Sequence, residues 1–182
     1  MSIALLRPSL AWLPAYEQAL ARGWSPNSDH DNGREQLAAL RADPARFLDE
    51  LYNSPTVRRP DGSEVPRLPA HEFWISDGEF CGRINFRFER GVAALAPSAY
   101  GHVGYSIVPW KQRRGYATQA LRRILTVARD EGFARVQITC DDDNEGSRKV
   151  ILANGGVWGG SFPHPTRPGR LKLSFWVSTA AR

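Results

Sequence analysis

Cysteine is nearly absent from this chain. Two occur in 182 residues, Cys81 and Cys140, far apart and with no C-x-x-C pairing or histidine companion. That argues against a disulfide framework and against a zinc site, and it suits a reducing, cytoplasmic setting. Long apolar runs are missing too. No stretch approaches the roughly 18 residues that a membrane-spanning helix requires. The opening residues, Met1-Ser-Ile-Ala-Leu-Leu-Arg-Pro8, have no basic n-region and too short an apolar segment for a secretory signal. No internal repeat and no low-complexity tract appears. What remains is an ordinary globular composition, 42% hydrophobic and 24% charged. The length suits a single domain over residues 1–182 with a sizeable core.

The net charge is +5 and the pI about 9.6, which raises the prospect of a polyanionic partner. The charge is not drawn out into a nucleic-acid-binding tail. Lys111, Arg113, Arg114, Arg122 and Arg123 cluster with no acid between them, and His164, Arg167, Arg170 and Lys172 form a second basic stretch. A small ligand with several phosphates accounts for the first cluster without DNA or RNA.

Residue periodicity predicts the following elements. Ile3–Leu6 is a short strand. Ser9 caps a helix over Leu10 to Arg22 that Gly23 stops, although Pro14 blurs its start. Residues 34–53 are helical, broken at Asp43-Pro44. The polar loop 24–33 carries His30 between Asp29 and Asp31; a solvated loop is favoured there over a metal site. Residues 56–70, with Pro60-Asp-Gly62, are a turn-rich excursion. Glu72–Ser76 and Phe80–Phe88 are strands joined by the hairpin signal Asp77-Gly78. In the second of them Arg83, Asn85 and Arg87 alternate with Ile84, Phe86 and Phe88, giving one wet face and one buried face. A strand at about Tyr100 to Val108 ends at Pro109.

Ala117, Ala120, Leu121, Ile124, Leu125 and Ala128 then mark one face of an amphipathic helix. Arg135–Cys140 is a strand, placed by the preceding helix as the second half of a parallel crossover. Asp141-Asp-Asp-Asn144 follows; three acids at a helix start complement the helix dipole, a reading preferred here to a Mg²⁺ site. Glu145–Asn154 is a helix closed by Gly155-Gly156. Two strands end the chain, near 159–162 and 170–177.

Chemistry concentrates at the turn Gln112-Arg113-Arg114-Gly115-Tyr116-Ala117-Thr118, between the central strand and its helix. Glycine permits close backbone approach, a helix start leaves N–H groups unpaired, and the arginines add charge. Taken alone, such a turn is either a solvated strand–helix connection or an anion site, and for the second a pyrophosphate is the natural guest.

The spacing Pro109-x-x-Gln112-x-x-Gly115-x-Ala117 resembles motif A of the GCN5-related N-acetyltransferases (GNAT). The run strand, Asn144-x-x-Ser147, helix, Asn154-Gly155-Gly156 resembles motif B of the same family. In element order the likeness spans about residues 72–178, and Gly101-His-Val-Gly-Tyr-Ser-Ile-Val-Pro109 resembles a subgroup of bacterial predicted acetyltransferases. The resemblance implies an α/β (α+β) GNAT fold. It would have a mixed, mostly antiparallel central sheet of about six to seven strands, flanked by helices and splayed between two central parallel strands.

The resemblance also implies acetyl-coenzyme A as cosubstrate and direct attack of a primary amine on the acetyl thioester, with no metal. Residues 112–118 would hold the pyrophosphate. Ile107 and Val108 would pair with the pantetheine amides, with a strand N–H near Val108 as oxyanion donor. Asn144 and Ser147 would contact the pantetheine arm. His102 and Tyr105 are the candidate proton acceptors, directly or through a water, with a core or sheet-surface role as the alternative for each. The family's usual tyrosine acid, seven residues after the asparagine, is Ile151 here, which keeps a non-catalytic acyl-coenzyme A sensor as the alternative. The acceptor is a small-molecule amine or a peptide amine; a membrane partner is not expected, and a homodimer is left open. Cys140, at a strand end beside three acids, is read as structural.

Overall fold

The computed structural model describes residues 2–27, 31–58, 62–92, 95 and 99–180. Numbered along the chain, its strands are β1 (Ala4–Leu6), β2 (Thr56–Arg58), β3 (Glu64–Pro66), β4 (Ala70–Ser76), β5 (Phe80–Arg87), β6 (Val103–Ile107), β7 (Arg135–Asp141), β8 (Val157–Pro163) and β9 (Leu171–Ser178). The α-helices are α1 (Leu13–Ala21), α2 (Gly33–Ala42), α3 (Pro44–Asn53), α4 (Tyr116–Asp130) and α5 (Glu145–Ala153).

Two antiparallel sheets carry the molecule, one in the order β1-β4-β5-β6 and one in the order β7-β9-β8. The sheets meet between β6 and β7, where the described residues form a single bridge, Gly101 to Ile138. The parallel ladder expected at this junction is therefore absent among the described residues. Beside this bridge the Gln137 N–H is taken by the His102 side chain, Nδ1 accepting at 3.0 Å, in place of a strand carbonyl. The expected splay between the central strands is present.

Helix α4 contains no glycine or proline, and its buried residues Tyr116, Ala120, Leu121, Ile124, Leu125 and Ala128 follow the helical period. That face packs onto β5, β6 and β7. The resulting core joins Ile84 and Phe86 of β5, Leu121 and Ile124 of α4, and Val136 and Ile138 of β7, each at 0% exposure. Cutting one such side chain to alanine costs about 2–5 kcal/mol. On the other face of the first sheet, α1 and α3 bury an aromatic cluster. Tyr16 stacks on Trp74 at 4.7 Å between ring centroids, and its edges meet Trp24, Phe47 and Phe80.

Several boundaries shifted for local reasons. Pro14, in the first turn of α1, starts that helix at Leu13 after a short 3₁₀ turn at Leu10–Trp12. Asp43 separates α2 from α3 and caps the latter, accepting the Arg46 N–H at 3.0 Å. The turn-rich segment 56–70 contains the β2–β3 hairpin. Residues 28–30, including Asp29 and His30, and most of the 89–98 loop's tip lie outside the described residues.

Candidate active site

The turn after β6 has the conformation its sequence suggested. Arg113 has φ 60° and Gly115 φ 77°, so the chain turns sharply before α4 begins. The backbone N–H groups of Arg113, Arg114, Gly115, Ala117 and Thr118 donate to no protein acceptor among the described residues; the first helical donation recorded here is Gln119 to Gly115 at 3.1 Å. A row of unpaired donors at the positive end of a 15-residue helix fits an anion. Arg113 and Arg114 are exposed beside it.

Three side chains of this region point elsewhere. Gln112 Nε2 donates to the Ile107 carbonyl at 3.2 Å. Tyr116 is buried and its hydroxyl reaches Asp77 Oδ2 at 2.5 Å. Lys111, which the sequence places in the phosphate cluster, is buried with its ammonium 2.7 Å from Asp77 Oδ1 and 2.8 Å from Glu79 Oε2.

Strand β6 offers an open edge to the gap. Arg87 donates to the His102 carbonyl and Val108 to the Cys81 carbonyl, at 2.8 and 2.9 Å. By strand alternation the even-numbered residues thus face β5, and Val103, Tyr105 and Ile107 present their backbone groups to the gap. This corrects the assignment of Val108, whose N–H is already used inside the sheet. On the opposite bank, the odd-numbered residues of β7 face β6: Gln137 bonds to His102 at 2.7 Å, and Thr139 Oγ1 reaches the Tyr100 carbonyl at 2.8 Å.

His102 is fully buried. Its ring lies among Phe86 and Phe133, and Nε2 has no hydrogen-bond partner among the described residues. Burial lowers its pKa, the Gln137 contact opposes that, and the charge of Arg87 lowers it further. The structure therefore places this nominated base in the core, away from the cavity wall, where it wedges β6 from β7.

Tyr105 lies where the gap meets α5. Its hydroxyl is 2.7 Å from Ser147 Oγ. Burial raises its pKa well above the ordinary phenol range, against the opposing hydrogen bond to Ser147. It stays protonated at neutral pH, so no phenolate is available there to take up a proton. Asn144 caps α5, its Oδ1 taking the Ser147 N–H at 2.9 Å, and its amide NH₂ remains for other contacts. Ile151, at the family's tyrosine position, is core. Cys140 is buried and burial raises its thiol pKa, so it is no nucleophile.

The acidic run meets the second basic stretch. Lys172 reaches Asp141 at 2.6 Å, and Arg170 reaches Asp142 and Asp143, each at 2.6 Å. The acids hold the β8–β9 loop, which accounts for both charge runs without Mg²⁺; the described residues hold no group of three or more metal-ligating side chains suited to an ion.

On the face opposite α4 lies a cavity of about 900 Å³. Its floor is the wet face of β5, namely Arg83, Asn85 and Arg87, with Gly104 and Tyr105 of β6 at one side. Glu35 and Gln36 of α2, Glu50 of α3 and Val65 and Arg67 of the β2–β3 hairpin wall it. Arg83 and Glu72 form a two-pronged ion pair, with Nε to Oε1 at 2.7 Å. Ser106 pins the loop at 24–27 to β6, accepting from Trp24 Nε1 at 2.9 Å and donating to the Ser25 carbonyl at 3.0 Å. The alternation in β5 marked this floor in the sequence, but its charged residues read simply as solvated. Asp77, which braces the turn, gave no signal beyond a hairpin.

Two sheets that part beside a glycine-turned helix start with unpaired amides define an α/β fold with an anion-binding turn at its central gap. The family model described as acetyltransferase (GNAT) domain matches residues 34–157, more than half of the chain. The chain belongs to this family of acetyltransferases. No curated protein sequence matches it. Among solved structures it is similar to the microcin C7 self-immunity acetyltransferase MccE in complex with acetyl-CoA and AMP: identity is 15%, coverage 97% of this chain and 92% of that one, and the TM-score 0.66. It is similar to RimL, a ribosomal L7/L12 alpha-N-protein acetyltransferase in complex with coenzyme A, at 19% identity, 100% and 97% coverage and TM-score 0.65. A Salmonella typhimurium acetyltransferase that modifies the N-terminal serine of L7/L12 matches at 18% identity, 98% and 95% coverage and TM-score 0.62. Among the described residues no helix is long and apolar enough to cross a membrane.

Proposed function

We propose that residues 1–182 form one acetyl-coenzyme A-dependent N-acetyltransferase domain whose acceptor is the N-terminal amine of a polypeptide. One observation carries the reading. The unpaired amides at 113–115 and 117–118 adjoin the open edge of β6, and that edge leads to the cavity on the other face.

The amides from Arg113 to Thr118, with the guanidinium groups of Arg113 and Arg114, hold the diphosphate. The outward backbone groups of Tyr105 and the outward N–H of Ile107, whose carbonyl already accepts from Gln112 Nε2, pair with the pantetheine amides, as an added strand pairs with a sheet edge. The Asn144 amide contacts the same arm. The cosubstrate supplies the activated acetyl group. An outward N–H of β6 supports the charge that develops on the thioester carbonyl oxygen as the amine nitrogen attacks. The carbon–sulfur bond breaks, and the Tyr105–Ser147 hydroxyl pair relays a proton, passing one to the departing sulfur and regaining one from water in the open cavity. The amine proton leaves through water in the open cavity, since His102 is out of reach.

The polypeptide acceptor rests on size and lining. About 900 Å³ lies at the upper end of small-molecule pockets and exceeds what one simple amine fills. The walls carry both charge signs, so no single ionic group dominates recognition. The RimL and Salmonella proteins, similar in fold, are named for acting on a protein N-terminus. The test is thiol release from acetyl-coenzyme A with two panels, peptides bearing free α-amines and small amines. Turnover with peptides and not with their N-blocked forms is expected. Turnover confined to small amines removes the polypeptide acceptor. Tight coenzyme binding with no turnover in either panel favours the sensor.

A further inference from the structure

The turn that fits an anion is held in shape from below by a residue of a different element. Asp77 is the first residue of the β4–β5 hairpin turn. Its Oδ1 is 2.7 Å from the ammonium of Lys111, and its Oδ2 accepts the Tyr116 hydroxyl at 2.5 Å. Lys111 is the last residue before Gln112, and Tyr116 is the first residue of α4. One carboxylate therefore grips both ends of the four-residue turn 112–115. Glu79 adds a second contact to Lys111 at 2.8 Å, and the Glu79 N–H donates to Asp77 Oδ1 at 3.2 Å, fixing the carboxylate itself. Asp77 and Lys111 are nearly sealed, with side-chain exposures of 5% and 7%.

The turn requires such support. Arg113 holds φ 60° without the freedom of glycine, and Gly115 holds φ 77°. A non-glycine residue in that region costs on the order of 1 kcal/mol or more and persists only where its surroundings over-determine it. The turn's own bonds are few and long: Gln112 donates from its N–H to the Pro109 carbonyl at 3.3 Å and from Nε2 to the Ile107 carbonyl at 3.2 Å, and Arg114 Nη2 reaches the Trp110 carbonyl at 3.3 Å, while the N–H groups of Arg113, Arg114 and Gly115 have no protein acceptor among the described residues. The buried ion pair and the charge-assisted phenol bond supply what the turn lacks.

We propose that Asp77 is a positioning residue for the coenzyme's diphosphate: its carboxylate clamps Lys111 and Tyr116 so that the 113–118 amides stand preformed toward the anion. The inference rests on the reading of that turn as the diphosphate site. It removes two groups from the list of direct phosphate ligands. The Lys111 charge is spent on Asp77 and Glu79, and the Tyr116 hydroxyl faces the hairpin, leaving Arg113 and Arg114 as the turn's external charges.

The test compares two donors, acetyl-coenzyme A and S-acetylpantetheine, which carries the thioester and lacks the diphosphate. Asp77→Asn keeps the shape and removes the charge. It is expected to raise KM for acetyl-coenzyme A about tenfold, the order set by losing a charge-assisted hydrogen bond, with kcat within about twofold and kcat/KM for S-acetylpantetheine unchanged. A parallel loss with both donors makes Asp77 merely structural and overturns the proposal, as does an unchanged KM. Tyr116→Phe, which removes only the second arm, reads the same quantity if Asp77→Asn does not fold; a rise in KM for the full coenzyme alone supports the clamp, and no rise overturns it. Gly115→Glu separates the two levels. If it leaves coenzyme affinity intact, the turn is not the diphosphate site and the clamp falls with it. If it abolishes affinity while Asp77→Asn changes nothing, only the clamp falls.

Discussion

His102 holds both backbone groups of Gln137: its N–H donates to the Gln137 carbonyl at 2.7 Å, and its Nδ1 accepts the Gln137 N–H at 3.0 Å. A side chain has taken the place of a strand partner. The ladder ends there, and β6 and β7 separate beyond it. Replacing the imidazole with a ring of similar size that cannot accept leaves the Gln137 N–H buried and unpaired. His102→Phe should cost about 1–3 kcal/mol, a fall in Tm of roughly 2–4 °C per kcal/mol for a chain of this length. It should also raise KM for the coenzyme, since the wedge sets the gap. A variant with wild-type Tm and KM would show that the gap is set elsewhere.

The same histidine makes stability depend on pH. Its folded pKa is lowered by burial, so the folded state holds the ring neutral. The unfolded ring takes up a proton below about pH 6.5. Between the folded pKa and that value the unfolded chain binds more protons, so stability falls as the pH falls, by at most about 1.4 kcal/mol per pH unit for one proton. Thermal melts between pH 7.5 and 5 should show this slope, and His102→Phe should lose it. An equal slope in the variant would assign it to other groups.

Tyr105→Phe removes the hydroxyl 2.7 Å from Ser147 and leaves the ring. With sulfur protonation impaired, kcat should drop about 10²-fold, the lower end for a positioned acid, with KM for acetyl-coenzyme A little changed. Ser147→Ala should do the same, and the double variant should fall little further, because the two hydroxyls act as one donor. Additive losses would mean separate roles.

The sequence revealed elements whose cause is local. The period in α4, the Asp77-Gly78 hairpin and the Asp43-Pro44 break are all written in neighbouring residues, and the structure has each of them. The glycine turn and the Asn144-x-x-Ser147 helix start were legible for the same reason. What was not legible depends on residues brought together from afar. Lys111 read as a phosphate cation because Asp77, 34 positions earlier, is silent in sequence. His102 read equally as a base or a core residue, because nothing local shows that Phe86 and Phe133 enclose it. The three aspartates and the distant arginines read as two separate charge runs, although each neutralises the other.

The Arg83–Glu72 pair is the last long-range contact with a consequence for function. Glu72 is 5% exposed and Arg83 20% along its side chain, and Arg83 Nη1 also donates to the Pro26 carbonyl at 3.3 Å. The pair thus joins the cavity floor to the loop that rims it. Removing one member strands the other charge. Glu72→Gln should cost about 3–5 kcal/mol, seen as a lower denaturant midpoint. Replacing both members with apolar residues of similar volume, as in Glu72→Leu with Arg83→Met, should recover most of that loss, because neither charge is then left without its counterion. Acceptor recognition should not recover, since the floor has lost its ionic surface and the tie to Pro26. In that double variant KM for the peptide should rise while KM for acetyl-coenzyme A, bound across the sheet edge, stays near wild type. A rise in both would mean that the floor and the coenzyme cleft are one mechanical unit.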